Sequence, residues 1–292
     1  MRQSRRDAGT HDPTAQANAT ARRCTQGRSP SGLEGRQIIQ PPHTEIFSRR
    51  HRVVAVTSLA LEARIARGRS VVVICDYGSH LVYSLRAAVS RGAAGIISFG
   101  VAAGLARELA PGDCVIASGV RTQEAYFPAD RVWASRLVAA LPGSVHADIA
   151  GTDTLLVHPA QKRALHECSR AVVADMESHI AARLAAEQRV PFAAVRVVID
   201  PVEEALPPAA EVGLREDGSP DVPAVLKSLA RRPTQLPALV RTACCASVAK
   251  KALRQVRAAL GDALGSPYFG GVAAAPVECN FVGGLLVRGL RR

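Results

Sequence analysis

Aromatic residues are scarce in this chain: six Phe, four Tyr and one Trp amount to 4% of 292 residues, against a hydrophobic fraction of 48%. A core built mainly from Ala, Val, Leu and Ile suits helices laid on a central sheet better than a β-sandwich. Long apolar runs are also missing. No stretch of about twenty apolar residues is free of charge, so no membrane span is expected. The seven cysteines, Cys24, Cys75, Cys114, Cys168, Cys244, Cys245 and Cys279, are odd in number and include no Cys-x-x-Cys. His80, His146, His158 and His166 show no ligand spacing. Both absences argue against structural zinc or any other metal, and the thiol pattern points to reduced cysteines in a cytoplasmic protein. Arg2, Arg5 and Arg6 are followed by no apolar core, so the N-terminus does not read as a signal peptide.

What the sequence has in plenty is positive charge, a formal +12. The excess sits at the ends. Residues 1–51 carry nine Lys/Arg against four Asp/Glu, and residues 241–292 carry eight against two, which leaves 20 against 19 between them. A nearly neutral body argues against a basic groove through it. The basic ends lack the aromatic interleaving that stacks on bases, so no nucleic-acid partner is expected. Residues 1–51 are rich in Arg, Ser, Thr, Gly and Pro, and cannot easily repay the entropy of folding. They are assigned as a disordered basic extension, 52–264 as one α/β domain, and the glycine-rich 265–292 as an irregular tail.

Within 52–264, apolar runs predict strands at Arg52–Thr57, Val71–Cys75, Ala94–Phe99, Cys114–Ser118 and Pro191–Ile199, with a strand pair or kinked strand over His146–Val157. Helical periodicity predicts helices at 59–66, from about 80 to 91, at 131–140, 159–169, 178–188 and 222–231, and from 236 to about 264. Gly100–Gly104 reads as a tight turn after the third strand. The long Pro-rich loop 201–220 has the length of an active-site lid.

Two carboxylates stand at element ends. Glu177 opens the amphipathic run Ser178–Gln188, and Asp200 ends the apolar run before Pro201. In open α/β sheets ligands bind outside the carboxyl ends of the strands, which is where Asp200 falls. Taken singly, Asp200 before Pro201 is more often a turn residue and Glu177 more often a first-turn acid on the helix dipole; only their combination points to a site. Arg196, inside a buried strand, reads as an ion-pair partner for a buried acid.

The motifs Leu59-Ala60-Leu61-Glu62, Ser98 to Leu105, Pro111-Gly112-Asp113, Asp175-Met176-Glu177-Ser178 and Arg196 to Asp200, in that order, resemble the nucleoside phosphorylase and nucleosidase superfamily. With Leu206 to Ala210 and Ser228 to Pro233, the similarity is nearest the hopanoid-associated phosphorylases and runs from about residue 52 to 255. The resemblance implies a phosphorylase/nucleosidase-like three-layer sandwich, a central mixed sheet flanked by helices. It implies cleavage of a purine N-glycosidic bond, with Asp200 as acid on the purine and Glu177 on the ribose hydroxyls. It places Met176 against the sugar, and Ser178, Val101, Ala102 and Gly104 along the substrate. Purine anions leave poorly, so a positioned acid gives about 10²- to 10⁴-fold, and a carboxylate near the ribose favours the positive charge that builds there.

The acceptor separates two reactions. For water, Glu62 stands where nucleosidases of the superfamily carry their base. For inorganic phosphate as co-substrate, the candidate cradles hold Gly78 and Ser79, or Gly100 to Gly104. Asp76 in the first, and Val101 and Ala103 in the second, suit an anion poorly, which puts hydrolysis ahead. No other cofactor is expected. The implied substrate is an adenosyl hopanoid, which would bring the cytoplasmic protein to the inner membrane as a peripheral contact. The superfamily usually assembles as homo-oligomers. The alternative is a weakened paralogue that binds a nucleoside or a partner protein without turnover.

Overall fold

The structure is a computed structural model and describes residues 52–76, 78–213 and 221–269. The 1–51 extension and residues 270–292 of the tail lie outside the described residues. In chain order the elements are β1 (Arg52–Thr57), α1 (Ala60–Ala66), β2 (Val71–Cys75), α2 (Gly78–Ser90), β3 (Ala93–Gly104), β4 (Cys114–Arg121), β5 (Tyr126–Pro128), α3 (Arg131–Ala140), β6 (Val145–Gly151), α4 (Pro159–Ser169), β7 (Val173–Asp175), α5 (Ser178–Gln188), β8 (Phe192–Asp200), α6 (Pro208–Glu211), α7 (Val222–Arg231), a 3-10 turn (Pro233–Gln235) and α8 (Leu236–Leu260).

The strands form one mixed sheet in the order β2-β1-β3-β7-β6-β4-β5, with β8 pairing both β3 and β4. β1 is parallel to β2 and β3, β3 to β8, and β6 to β4 and β7; the β3–β7, β4–β5 and β4–β8 pairs are antiparallel. Following the pairs from β3 through β8, β4, β6 and β7 returns to β3, so these strands close a ring. Parallel strands buried on both faces read as continuous apolar runs; Val53 to Val56 do so, and Phe192 to Val198 do so but for Arg196, all with little or no exposure.

Helices cover both faces. Leu81 and Leu85 of α2 and Ala181 to Ala185 of α5 pack with Val54, Val56, Ile96 and Val198. On the other face Ala66 of α1, Trp133 and Leu137 of α3, and Ala249, Leu253, Val256 and Leu260 of α8 pack with Val53, Ala55, Ile97 and Val195. The spacing 249-253-256-260 is the stripe that one buried helix face requires. Asp130 caps α3 by accepting from Trp133 N at 2.8 Å.

Several sequence expectations need correction. The third strand does not end at Phe99: β3 runs on to Gly104, because Gly100 to Ala102 pair with Arg196 to Val198 and Ala103–Gly104 pair with Ala174–Val173. Gly100–Gly104 is therefore ladder rather than turn. β7 was not foreseen as a strand. β4 extends to Arg121, and β5 follows at Tyr126–Pro128, where no strand was expected. His146–Val157 yields the single strand β6, with no second strand after Gly151. The final helix stops at Leu260, where Gly261 takes φ +64. After it, the Trp133 indole N–H donates to Leu264 O at 3.0 Å and the Tyr268 hydroxyl donates to the Asp130 carboxylate at 2.9 Å, so the first residues after 264 are tied to α3.

Candidate active site

The middle of β8, beside β3, carries a buried charge cluster centred on Arg196. Its guanidinium has no exposure, and neither does Ser98; Glu62, Glu177 and Asp175 are buried around it. Arg196 Nη2 donates to Ser98 Oγ at 2.6 Å, to Ser178 Oγ at 3.3 Å and to Glu177 Oε2 at 3.5 Å, and Nη1 donates to Val101 O at 3.4 Å. Nε lies 2.6 Å from Asp175 Oδ2. That contact is ionic only, since Nε makes no aligned hydrogen bond. One cation thus faces three carboxylates, which is how a buried charge is made tolerable.

Each acid is placed by local backbone. Glu62, in the first turn of α1, reaches back so that Oε2 accepts from the N–H of Ser58 at 3.0 Å and of Leu59 at 2.9 Å, while Oε1 accepts from Val101 N at 2.7 Å. Gly100 is required beside it. A Cβ there would strike both the Glu62 carboxylate and the Arg196 guanidinium. Asp175 ends β7 and caps the start of α5, accepting from Glu177 N at 3.2 Å and Ser178 N at 2.8 Å, with a short contact from Ser178 Oγ. Glu177 is the N-cap residue of α5. Burial pushes its carboxyl up to about 7, with Arg196 pulling the other way and Asp175 and Glu62 adding to the rise. Glu62 is likewise raised by burial, against Arg196 and its three backbone donors.

Asp200 sits apart from this cluster. The β3–β8 register slips between Ala102 and Ala103, so that Ala102 faces Val198 and Ala103 faces Asp200, leaving Ile199 as the extra residue. A bulge re-aims the side chain that follows it. Asp200 is held by Lys162 of α4, whose ammonium is fully buried and contacts Oδ2 closely. Burial raises the Asp200 carboxyl and Lys162 opposes that rise. β8 rises about 3.3 Å per residue, so Arg196 and Asp200 stand roughly 13 Å apart along the strand at most. Gly104 lets β3 approach this end: a Cβ would lie 3.1 Å from Asp200 O.

Of the residues singled out in the sequence, Glu62, Glu177, Ser178 and Val101 are brought into one cluster. Ala102 and Gly104 lie in β3 beside the end of β8, and Met176 is half-buried between Asp175 and Glu177. Gly78 and Ser79 form the first turn of α2, and Gly100 lies in β3. Sequence reasoning missed Ser98, Ser58, Asp175 as a charge partner, and Lys162. Asp175 had a signal, three residues before the Ser178 amide it caps; Lys162 had none beyond its place among the helical residues of α4. His179 is buried, with Nε2 3.0 Å from Asp153 Oδ1 and Nδ1 without a hydrogen bond. Among the described residues no group of three or more His, Cys, Asp or Glu is placed to hold a metal ion. Two surface clefts of about 450 and 440 Å³ lie along α8 and α1, with Arg64, Lys250, Lys251, Arg254 and Arg257 among their lining residues.

No curated protein sequence matches the chain. Among solved structures, a variant of the Helicobacter pylori 5'-methylthioadenosine/S-adenosyl homocysteine nucleosidase, with 5'-methylthioadenosine in its active site, is similar with a TM-score of 0.50 and 12% identity, over 70% of this chain and 97% of that one. Helicobacter pylori futalosine hydrolase gives a TM-score of 0.49 and 13% identity, over 62% and 98%. At 12% identity the likeness to the nucleosidase is one of fold, and it agrees with the mixed sheet flanked by helices seen here. The sequence model of the phosphorylase superfamily matches residues 78–236, more than half of the chain. With that span matched, the chain belongs to the phosphorylase superfamily, a family of glycosyl-bond-cleaving enzymes.

Proposed function

We propose that this chain cleaves the N-glycosidic bond of a purine nucleoside with water as the acceptor. The observation that carries the reading is the buried set Glu62, Glu177 and Arg196 around the middle of β8. In it, Glu62 activates water, Glu177 holds the ribose hydroxyls with Met176 against the sugar, and Asp200 at the end of β8 protonates the purine. A carboxylate whose proton affinity is raised by burial is the stronger base once ionised. Anionic groups beside the ribose stabilise the oxocarbenium-like charge, more so in a water-poor site.

Water is favoured over phosphate by how the donors are spent. The Val101 N–H, which would have to serve an anion, is taken by Glu62 Oε1 at 2.7 Å, and Arg196 is already shared among Asp175, Glu177 and Ser98. A phosphate placed there would meet two carboxylates.

The finer substrate reading is an adenosyl hopanoid, releasing adenine. It draws on the family resemblance, and two surface features support it. Val212, Val222, Leu226, Leu236 and Val240 are exposed around α6, α7 and the start of α8. The stretch 222–260 holds eight Lys/Arg and no Asp or Glu. Apolar side chains among cations are what a peripheral contact with an anionic lipid surface uses. No helix among the described residues is long and apolar enough to cross a membrane. Assembly as a homo-oligomer is part of the same proposal. A binding-only protein is the second reading, and the engagement of Asp200 by Lys162 is the observation that favours it.

Adenine release from adenosine, methylthioadenosine and an adenosyl hopanoid, measured with and without phosphate, tests the proposal. Phosphate-independent release that is lost in Glu62→Gln is the expected result. Release that requires phosphate overturns the choice of acceptor, and no release from any of the three by folded protein favours the second reading.

A further inference from the structure

Lys162 is a buried cation that the proposed chemistry does not use. Its ammonium has three protons and three partners: Asp200 Oδ2 in close contact, Pro201 O at 2.9 Å and Glu204 O at 2.9 Å. A lysine taken wholly out of water keeps its charge only when its donors are met and a counter-charge is at hand. Both conditions hold here. The arrangement also ties three parts of the chain together at one atom: the first turn of α4, the last residue of β8 and the loop that leaves it.

We propose, building on the reading of Asp200 as the acid, that Lys162 is the positioning residue that fixes Oδ2 of Asp200 and sets the pH range over which Asp200 carries a proton. Oδ2 is occupied by the ammonium, so Oδ1 is the oxygen left to face a purine. The electrostatic neighbours of the carboxyl are few. Lys162 approaches from α4 and Glu204 from the following loop, and the Cys245 thiol of α8 feels both Asp200 and Glu204. Glu203 turns outward to Arg163 at 2.6 Å and Arg107 at 3.4 Å. Burial and Glu204 favour the protonated acid, while Lys162 and, more weakly, a backbone N–H favour the carboxylate. Removing the lysine charge while keeping the bulk takes away the main opposition to burial. The acid then holds its proton to higher pH, and the two carbonyls lose their donor.

The test compares the wild type with Lys162→Met, Lys162→Arg and Asp200→Asn. The first readout is the pH dependence of kcat/KM for adenine release from methylthioadenosine. The second, independent of turnover, is the titration of the Asp200 carboxyl carbon by NMR. In Lys162→Met the alkaline limb and the Asp200 titration are both expected to move up by one pH unit or more, with kcat changed more than KM, and Lys162→Arg returns both toward the wild type. An Asp200 titration that stays in place in Lys162→Met overturns the proposal, because a merely structural lysine would change the melting temperature and leave the titration alone. If Lys162→Met does not fold, Lys162→Gln carries the same comparison. Asp200→Asn separates the two ideas: full activity in that variant defeats the acid reading, while an inactive Asp200→Asn with an unmoved titration in Lys162→Met defeats only the role of Lys162.

Discussion

Glu177 shows at the residue scale what burial among like charges does to an acid. Its carboxyl is raised from the ordinary 4.5 to about 7, so the folded chain binds a proton that the unfolded chain releases. Stability therefore falls as pH rises from about 4.5 to about 7, the reverse of the behaviour of a salt-bridged carboxylate with a depressed pKa. Glu62 and Asp200, both raised by burial, act in the same direction. Melting temperatures across this window should decline in the wild type and decline less in Glu177→Gln; equal slopes would show that Glu177 titrates normally. The same variant should lose discrimination between ribosides and 2'-deoxyribosides in adenine release. Arg196→Met leaves Asp175, Glu62 and Glu177 facing one another, at a cost of about 3–5 kcal/mol in a denaturant titration. Glu177 could be read from the sequence because it opens a helical run, whereas Glu62, an ordinary early-helix acid by position, is named only through the family resemblance. Lys162 could not, because lysine reads as solvent-facing and its burial depends on residues 38 to 42 positions away.

At the scale of elements, the apolar strands and periodic helices were legible because one rule, burial of a face, writes both. α3, α4 and α5 fall at their expected limits. What escaped was pairing at a distance. Gly100 to Gly104 looks like a turn in isolation, and it becomes strand because β8, some ninety residues later, lies beside it. β7 has only three residues, too few to show a period. The extension of β3 makes Gly100 a packing position in a ladder. Gly100→Ala should therefore push the Glu62 carboxylate off the Val101 amide and cost about 1–3 kcal/mol, as overpacking does. The check is a folded variant with a lowered melting temperature and reduced adenine release; unchanged values for both would mean that the cluster can shift to admit a methyl.

For the whole molecule, net charge alone was a poor guide, since the body between the ends is nearly neutral and the acids of the site are hidden in it. The informative quantity is local. Leu236, Val240, Lys251 and Arg254 share one exposed side of α8, at spacings of 4, 15 and 18 residues. If that side meets a lipid surface, the protein should co-sediment with phosphatidylglycerol vesicles, leave them as salt rises, and ignore phosphatidylcholine. Reversal of Lys250, Lys251 and Arg254 to Glu should abolish the binding, and equal binding to neutral vesicles would defeat the idea. The ring of strands has a consequence for how the chain comes to be made. β8 is the last strand in sequence, yet it joins β3 to β4, so during synthesis β1 to β3 and β4 to β6 wait with open edges until residue 200 has emerged. Arg196 and Asp200 ride on that closing strand. A chain halted or misassembled before this step has neither its central cation nor its terminal acid, which ties the appearance of activity to completion of the sheet.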